Sequence, residues 1–254
     1  MKLNCDLGES FGTWQKGADQ AIMPFIDLAN IACGFHASDP LTMLETVKLA
    51  KQHQVTIGAH PSYPDLIGFG RRSMTFSAPE LTAIIQYQIG ALHALCLSND
   101  TVVSYVKPHG ALYNDMMKDL QLFDTVCASL SSITALNTSP LPLIIQAIPD
   151  THPFEEIAQR YGLTLWFEAF ADRAYQDNGF LVPRSDENAV IHETEQVVNR
   201  CNHLLTTGKL LSINGKELSL NVDTLCVHSD TPSAVDLVVK LRILLDEKID
   251  KKDT

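Results

Sequence analysis

The sequence contains no G-x-x-x-x-G-K-[ST] segment, and its one Gly-Lys pair, Gly215-Lys216-Glu217, has neither the spacing nor the hydroxyl of a phosphate loop. No G-x-G-x-x-G follows the first apolar run, no G-x-S-x-G elbow occurs, and no H-E-x-x-H is present. Nucleotide cradling, dinucleotide chemistry, serine hydrolysis and the helical zinc-protease arrangement therefore lack their usual carriers. The six cysteines (Cys5, Cys33, Cys96, Cys127, Cys201, Cys226) stand singly with no C-x-x-C pair, which speaks for reduced, buried thiols rather than a disulfide framework or a zinc knot. No run of 18 apolar residues marks a membrane span, and Met1–Asp6 leads into polar sequence without a signal-peptide pattern, so the expected location is cytoplasmic. Positive charge is scarce: 19 Lys and Arg against 30 Asp and Glu give a net charge of -11. That balance repels phosphate backbones and argues against nucleic acid or an anionic membrane as partner, while leaving room for a small anion held by a few focused cations.

What is present is an alternation. The 254 residues, 45% hydrophobic, are enough for one large α/β domain, and no linker divides them. Strands are expected at Lys2–Cys5, Ile26–Cys33, Val55–Ala59, Val102–Val106, Leu141–Ala147, Leu163–Glu168 and Thr224–Val227, with amphipathic helical stretches between most of them. Ser77-Ala78-Pro79-Glu80 reads as a capping box, Asp39-Pro40 and Thr231-Pro232 as caps before a first-turn proline, and Gly162 and Gly208 as helix ends. Asn214-Gly215, flanked by alternating residues, signals a small β-hairpin over 210–221. The charged tail 246–254 is expected to fray. About seven β/α units suggest an α/β fold of the (β/α) barrel type over an open doubly wound sheet, two architectures that spacing separates poorly.

In both architectures chemistry collects where strands end, and here those positions are loaded. Asp6 and Glu9, Asn30 and His36, His60, Lys107 with His109 and Tyr113, Glu168, and His228 all fall in or just after predicted strands. One such histidine is readily explained as a loop residue; four arriving together with carboxylates point to an active site. Asp6, His36 and His60 are the residues that would hold a divalent ion, but without compact ligand spacing metal-free acid–base work is the favoured reading. Arg71, Arg72, Arg173 and Arg184 lie in or beside these segments, and a forked guanidinium suits a carboxylate or phosphate. His53, His93, His152, His192 and His203 read as structural, and Trp14, Trp166 and the Met116-Met117 pair as packing residues.

Taken together, Asn4–Glu9, Asn30–Asp39, Gly58–Arg72, Val106–Asn114, Glu168–Arg184 and Leu225–Pro232 resemble the LamB/YcsF family, the A subunits of bacterial ATP-dependent 5-oxoprolinase. Gly-Ala-His-Pro-Ser-Tyr-Pro-Asp (58–65) and Val-Lys-Pro-His-Gly-Ala-Leu-Tyr-Asn (106–114) are the most specific segments. Ser38, Asn188 and Ser229 stand where that family usually has glycine. The resemblance implies a single barrel related to the glycoside hydrolase/deacetylase superfamily, and hydrolysis of 5-oxo-L-proline to L-glutamate with ATP, handled with or by B and C partner subunits. It further implies Asp6 and Glu9 as base or nucleophile, with His60 and His109 moving protons beside His36 and Glu168. Lys107 would offset negative charge, and Asn30, Arg71, Arg72, Tyr113, Arg173 and His228 would bind substrate. The alternatives are a metal-dependent deacetylase-type hydrolase and a non-catalytic 5-oxoproline-binding subunit.

Overall fold

The computed structural model of the protein describes residues 1–133, 140–228 and 233–250. Seven parallel strands close into a barrel in chain order: β1 (Lys2–Leu7), β2 (Leu28–Ala32), β3 (Thr56–His60), β4 (Val103–Val106), β5 (Leu143–Gln146), β6 (Leu165–Phe170) and β9 (Thr224–Val227), the last lying between β6 and β1. The 210–221 segment forms an antiparallel pair, β7 (Lys209–Leu211) and β8 (Glu217–Ser219), outside that barrel. Around it run α1 (Asp19–Ile22), α2 (Pro40–Gln52), α3 (Ala78–Leu97), α4 (Gly110–Met116), α5 (Leu120–Ser131), α6 (His152–Arg160), α7 (Thr194–Thr207) and α8 (Ala234–Asp250). Every strand expected from the apolar runs is present. The open sheet is excluded by the β6–β9–β1 closure.

The local signals act as their chemistry requires. Asp39 accepts from the backbone N–H groups of Leu41 and Thr42 ahead of Pro40, and Ser77 and Glu80 close a reciprocal capping box on α3. Gly208 ends α7 in the left-handed conformation at φ +70°. Ser38 and Asn188 hold φ values of +75° and +63°, left-handed backbone that suits glycine. The tail expected to fray instead continues α8 through 250. Residues 251–254, Ser229, Asp230 and the Thr231-Pro232 pair lie outside the described residues. Trp14, expected to pack, is 78% exposed, whereas Met116 and Met117 are buried.

Barrel strands bury both faces, so alternate residues do different jobs. Leu3, Cys5, Leu7, Ile31, Ile57, Val106, Leu143 and Ile145 join the main hydrophobic core with residues of the flanking helices, such as Ile85, Ile89 and Val126. Leu28, Tyr105 and Ile144, with Trp166 packed on them, form a separate apolar cluster that fills the barrel interior near the strand starts. Tyr105 fits because β3 has no side chain at Gly58: a Cβ there would run into the Tyr105 ring. Two residues further along the same strands the interior becomes polar, with Asn30, Lys107, Gln146 and Glu168 all buried. Among the described residues no helix is long and apolar enough to cross a membrane.

Candidate active site

The polar interior is organised around one cation. Lys107, just past β4, is 2% exposed, and its Nζ lies 2.9 Å from Asp6 Oδ1, 3.0 Å from Glu168 Oε2, 3.2 Å from Asn4 Oδ1 and 3.1 Å from Cys226 Sγ. Asn4 Nδ2 donates to Thr224 Oγ1 at 2.8 Å and to Glu168 Oε2 at 3.3 Å. Asn30 Nδ2 donates to Asn4 Oδ1 and Asp6 Oδ1, both at 2.8 Å, while Asn30 Oδ1 accepts from the Tyr105 hydroxyl at 2.7 Å. Burial alone would pull the Lys107 ammonium down, but the carboxylates of Asp6 and Glu168 outweigh it and hold the group well above its ordinary range. Burial likewise pushes Asp6 up, and the neighbouring His60 and Lys107 reverse that, leaving its carboxyl well below the usual range. The Cys226 thiol, raised strongly by burial, stays protonated. A fixed ammonium between two carboxylates, with no rotameric freedom to spend, is a preorganised partner for a developing oxyanion.

A rank of imidazoles stands against Asp6. His60 closes β3, His109 precedes α4, and His36 comes from the loop after β2. His60 Nδ1 donates to the Lys107 carbonyl at 2.6 Å, and His109 Nε2 donates to the Phe69 carbonyl at 3.0 Å. Their other nitrogens, His60 Nε2 and His109 Nδ1, meet at 2.9 Å, and His36 stacks on His109 with centroids 3.7 Å apart. Asp6 Oδ2 lies 3.5 Å from His60 Nε2, and Glu9 Oε1 lies 3.5 Å from His36 Nε2 and 3.7 Å from His109 Nδ1.

Above these groups opens a cavity of about 380 Å³, lined by Asp6, Glu9, His60, Lys107, His109, Tyr113, His228 and the arginines Arg71, Arg173 and Arg184. Arg184 Nη2 donates to His228 Nε2 at 2.7 Å, and His228 Nδ1 donates to the Asp172 carboxylate at 2.9 Å, so the imidazole bridges cation and anion. Burial raises Asp172, but His228 and Arg184 pull its carboxyl below the ordinary value. Arg173 spends its guanidinium on the carbonyls of Val182 and Ala189, bracing the 174–190 loop, and burial lowers it to about 10. The buried Tyr113 hydroxyl also lines the cavity; burial pushes it well above its ordinary range, and the neighbouring Glu168 carboxylate pushes it further.

Most residues expected to converge do so, with three corrections. Glu168 lies inside β6 rather than beyond it, because that strand runs on to Phe170; its carboxylate braces Lys107 one layer below the cavity, as Asn30 braces Asp6. Arg72 is drawn away from the cavity by Asp65, which takes its Nε at 2.9 Å and also pairs with its Nη2. The ligand atoms that gather within 4.8 Å are those of Glu9, His36, His60 and His109, while Asp6 groups with Cys226 and His228, so the Asp6–His36–His60 set is not the one the fold assembles. Sequence reasoning missed Asn4, Tyr105 and Asp172 as members of the network. Asn4 and Tyr105 share the inward register of Asp6 and Lys107, two residues on, and that spacing was the available signal.

A family model described as the LamB/YcsF family matches residues 1–252. The chain is 51% identical over 247 residues to the A subunit of 5-oxoprolinase from Vibrio cholerae serotype O1, covering 97% of this chain and 98% of that one. It is 49% identical over 248 residues to the corresponding 5-oxoprolinase A subunit of Pseudomonas fluorescens (strain Pf0-1), covering 98% of each. Among solved structures it is similar to the lactam utilization protein from Thermus thermophilus, with a TM-score of 0.87 at 38% identity over 97% of this chain and 96% of that one.

Proposed function

The chain belongs to the LamB/YcsF family, and from that premise we propose that it is the A subunit of an ATP-dependent 5-oxoprolinase, opening the lactam of 5-oxo-L-proline to L-glutamate. The observation that carries this reading is Lys107, fixed between Asp6 and Glu168 at the floor of a cavity rimmed by arginines. A five-membered lactam is a resonance-stabilised amide, and its hydrolysis needs an activated carbonyl, a delivered water and charge stabilisation at oxygen. Activation by ATP falls to the B and C partner subunits, since this chain carries no phosphate loop. Arg71 and Arg184 grip the substrate carboxylate, each able to form two parallel N–H···O bonds. Asp6, held ionised and facing the cavity, takes the proton of the attacking water. Lys107 faces the oxygen on which charge develops, and the Tyr113 hydroxyl lines the cavity beside the ring. Glu168, Asn30 and Asn4 hold Asp6 and Lys107 in register from below. The six buried, unpaired cysteines accord with a reducing, cytoplasmic setting.

The test measures glutamate and ADP release from 5-oxoproline and ATP by the purified chain, by the partner subunits, and by all three together. The chain alone is expected to be inert and the assembly active. Asp6→Asn in the assembly abolishes glutamate formation while ATP turnover persists, because the lost step follows activation. Glutamate produced at the wild-type rate by the Asp6→Asn assembly would overturn the catalytic assignment and leave a binding subunit.

A further inference from the structure

We propose that Glu9, His36, His60 and His109 form a binding site for one divalent transition-metal ion of the zinc class, on the wall of the cavity beside Asp6. The proposal rests on how the two inner histidines are protonated. A backbone carbonyl only accepts, so the 2.6 Å contact to the Lys107 carbonyl fixes the proton of neutral His60 on Nδ1, and the 3.0 Å contact to the Phe69 carbonyl fixes that of His109 on Nε2. The remaining atoms, His60 Nε2 and His109 Nδ1, then aim lone pairs at each other across 2.9 Å. Two lone pairs at that distance repel unless a cation lies at their junction.

A single shared proton would relieve this pair and also face Asp6 Oδ2, 3.5 Å from His60 Nε2, but it would leave His36 unanswered. Beside it, His36 is 1% exposed and neither ring nitrogen has a hydrogen-bond partner among the described residues, although Glu9 Oε1 stands 3.5 Å from its Nε2. The same Glu9 oxygen is 3.7 Å from His109 Nδ1, while its other oxygen faces Lys16 Nζ at 4.0 Å, outside the cluster. Each of the four residues offers a ligand atom, and the four atoms lie within 4.8 Å of one another. Ligands about 2.1 Å from one ion stand roughly 3.0 to 3.4 Å apart when adjacent, so the separations of 2.9, 3.5 and 3.7 Å lie close to what one ion draws together. Three imidazoles and one carboxylate favour zinc-class ions over magnesium, which prefers oxygen. The outer N–H bonds to backbone carbonyls are the supports that orient metal-binding histidines. When bound, such an ion supplies Lewis-acid polarisation of an oxygen entering from the cavity. Asp6 and Lys107 remain the groups that face the lactam.

This inference stands apart from the proposed 5-oxoprolinase reading, because metal content is read without any activity. The full chain is purified without a metal-affinity step, stripped with a chelator, and titrated with zinc, manganese or magnesium salts by calorimetry, with elemental analysis after gel filtration. One equivalent of zinc per chain is expected to be retained, magnesium is not retained, and zinc raises the thermal unfolding midpoint. Glu9→Gln and His109→Asn each weaken zinc binding by about tenfold or more and remove the zinc-induced rise, whereas His152→Ala, an exposed histidine elsewhere, leaves both intact. If His109→Asn does not fold, the near-isosteric Glu9→Gln carries the comparison. Trace zinc in the wild type, or zinc bound equally well by wild type and Glu9→Gln, overturns the site. So does a nitrogen-15 spectrum of the zinc-titrated chain in which His60 and His109 share a proton.

Discussion

The two ends of the barrel interior are built by the same strands and differ completely in what they do. At the strand starts Leu28, Tyr105, Ile144 and Trp166 pack against one another; two residues on, the same four strands place Asn30, Lys107, Gln146 and Glu168. The apolar end stabilises by excluding water and is tolerant of any shape that fills it. The polar end is a mutually satisfied network in which each charge is tolerable only because its neighbours are present. One step of two residues along a strand therefore separates packing from chemistry. The Tyr105 hydroxyl, bonded to Asn30 at 2.7 Å, is where the two meet.

The difference is broken most severely at Lys107. Lys107→Met should leave Asp6 and Glu168 facing each other unpaired, costing about 3–5 kcal/mol in denaturant unfolding and lowering glutamate formation by about a thousandfold. Adding Glu168→Gln to that variant should recover stability without activity; full activity in either variant would remove Lys107 from the chemistry. At the other end, Ile144→Ala should cost about 2–5 kcal/mol by opening a cavity, with the activity per folded molecule unchanged. Gly58→Ala should destabilise for the opposite reason, overpacking against Tyr105, and should be relieved by Tyr105→Leu.

Acid should also separate the ends. Asp6 and Asp172 ionise more readily folded than unfolded, so the unfolded chain takes up protons first and the stability they contribute is lost as pH falls below about 4. Unfolding midpoints measured against pH should drop over that range in wild type and less steeply in Asp6→Asn, while Ile144→Ala shifts the whole curve without changing its slope. The smallest effect distinguishes neighbouring arginines: Arg71→Ala should raise KM for 5-oxoproline roughly tenfold, whereas Arg72→Ala, whose guanidinium belongs to Asp65, should leave KM alone. Equal changes in both would show that the Asp65 pair does not withhold Arg72.

Much of this was legible in the linear chain, and for identifiable reasons. Strands were readable because barrel strands are buried on both faces, which makes each a short continuous apolar run. Caps such as Asp39-Pro40 and Ser77–Glu80 act within a single turn, so their geometry needs no tertiary information. Strand ends were less legible. Glu168 looked terminal because a charged residue closes the apolar run, yet pairing with Leu225 and Cys226 extends β6 over Ala169 and Phe170. Arg71 and Arg72 are indistinguishable by position, and only the fold brings Asp65 to one of them.

The sequence by itself determined the β/α alternation, the family and the set of chemically able residues, because these depend on residue type and short-range spacing. Only the tertiary structure decided their partners. Closing β6 through β9 onto β1 brings Glu168 and Cys226 to the ammonium that Asp6 also holds, and it sets three histidines from three separate loops and strands around Glu9. Those contacts span from 27 positions, Glu9 to His36, to 119, Lys107 to Cys226, and the energy of a buried charge is set by its nearest neighbours in space, which no local pattern records.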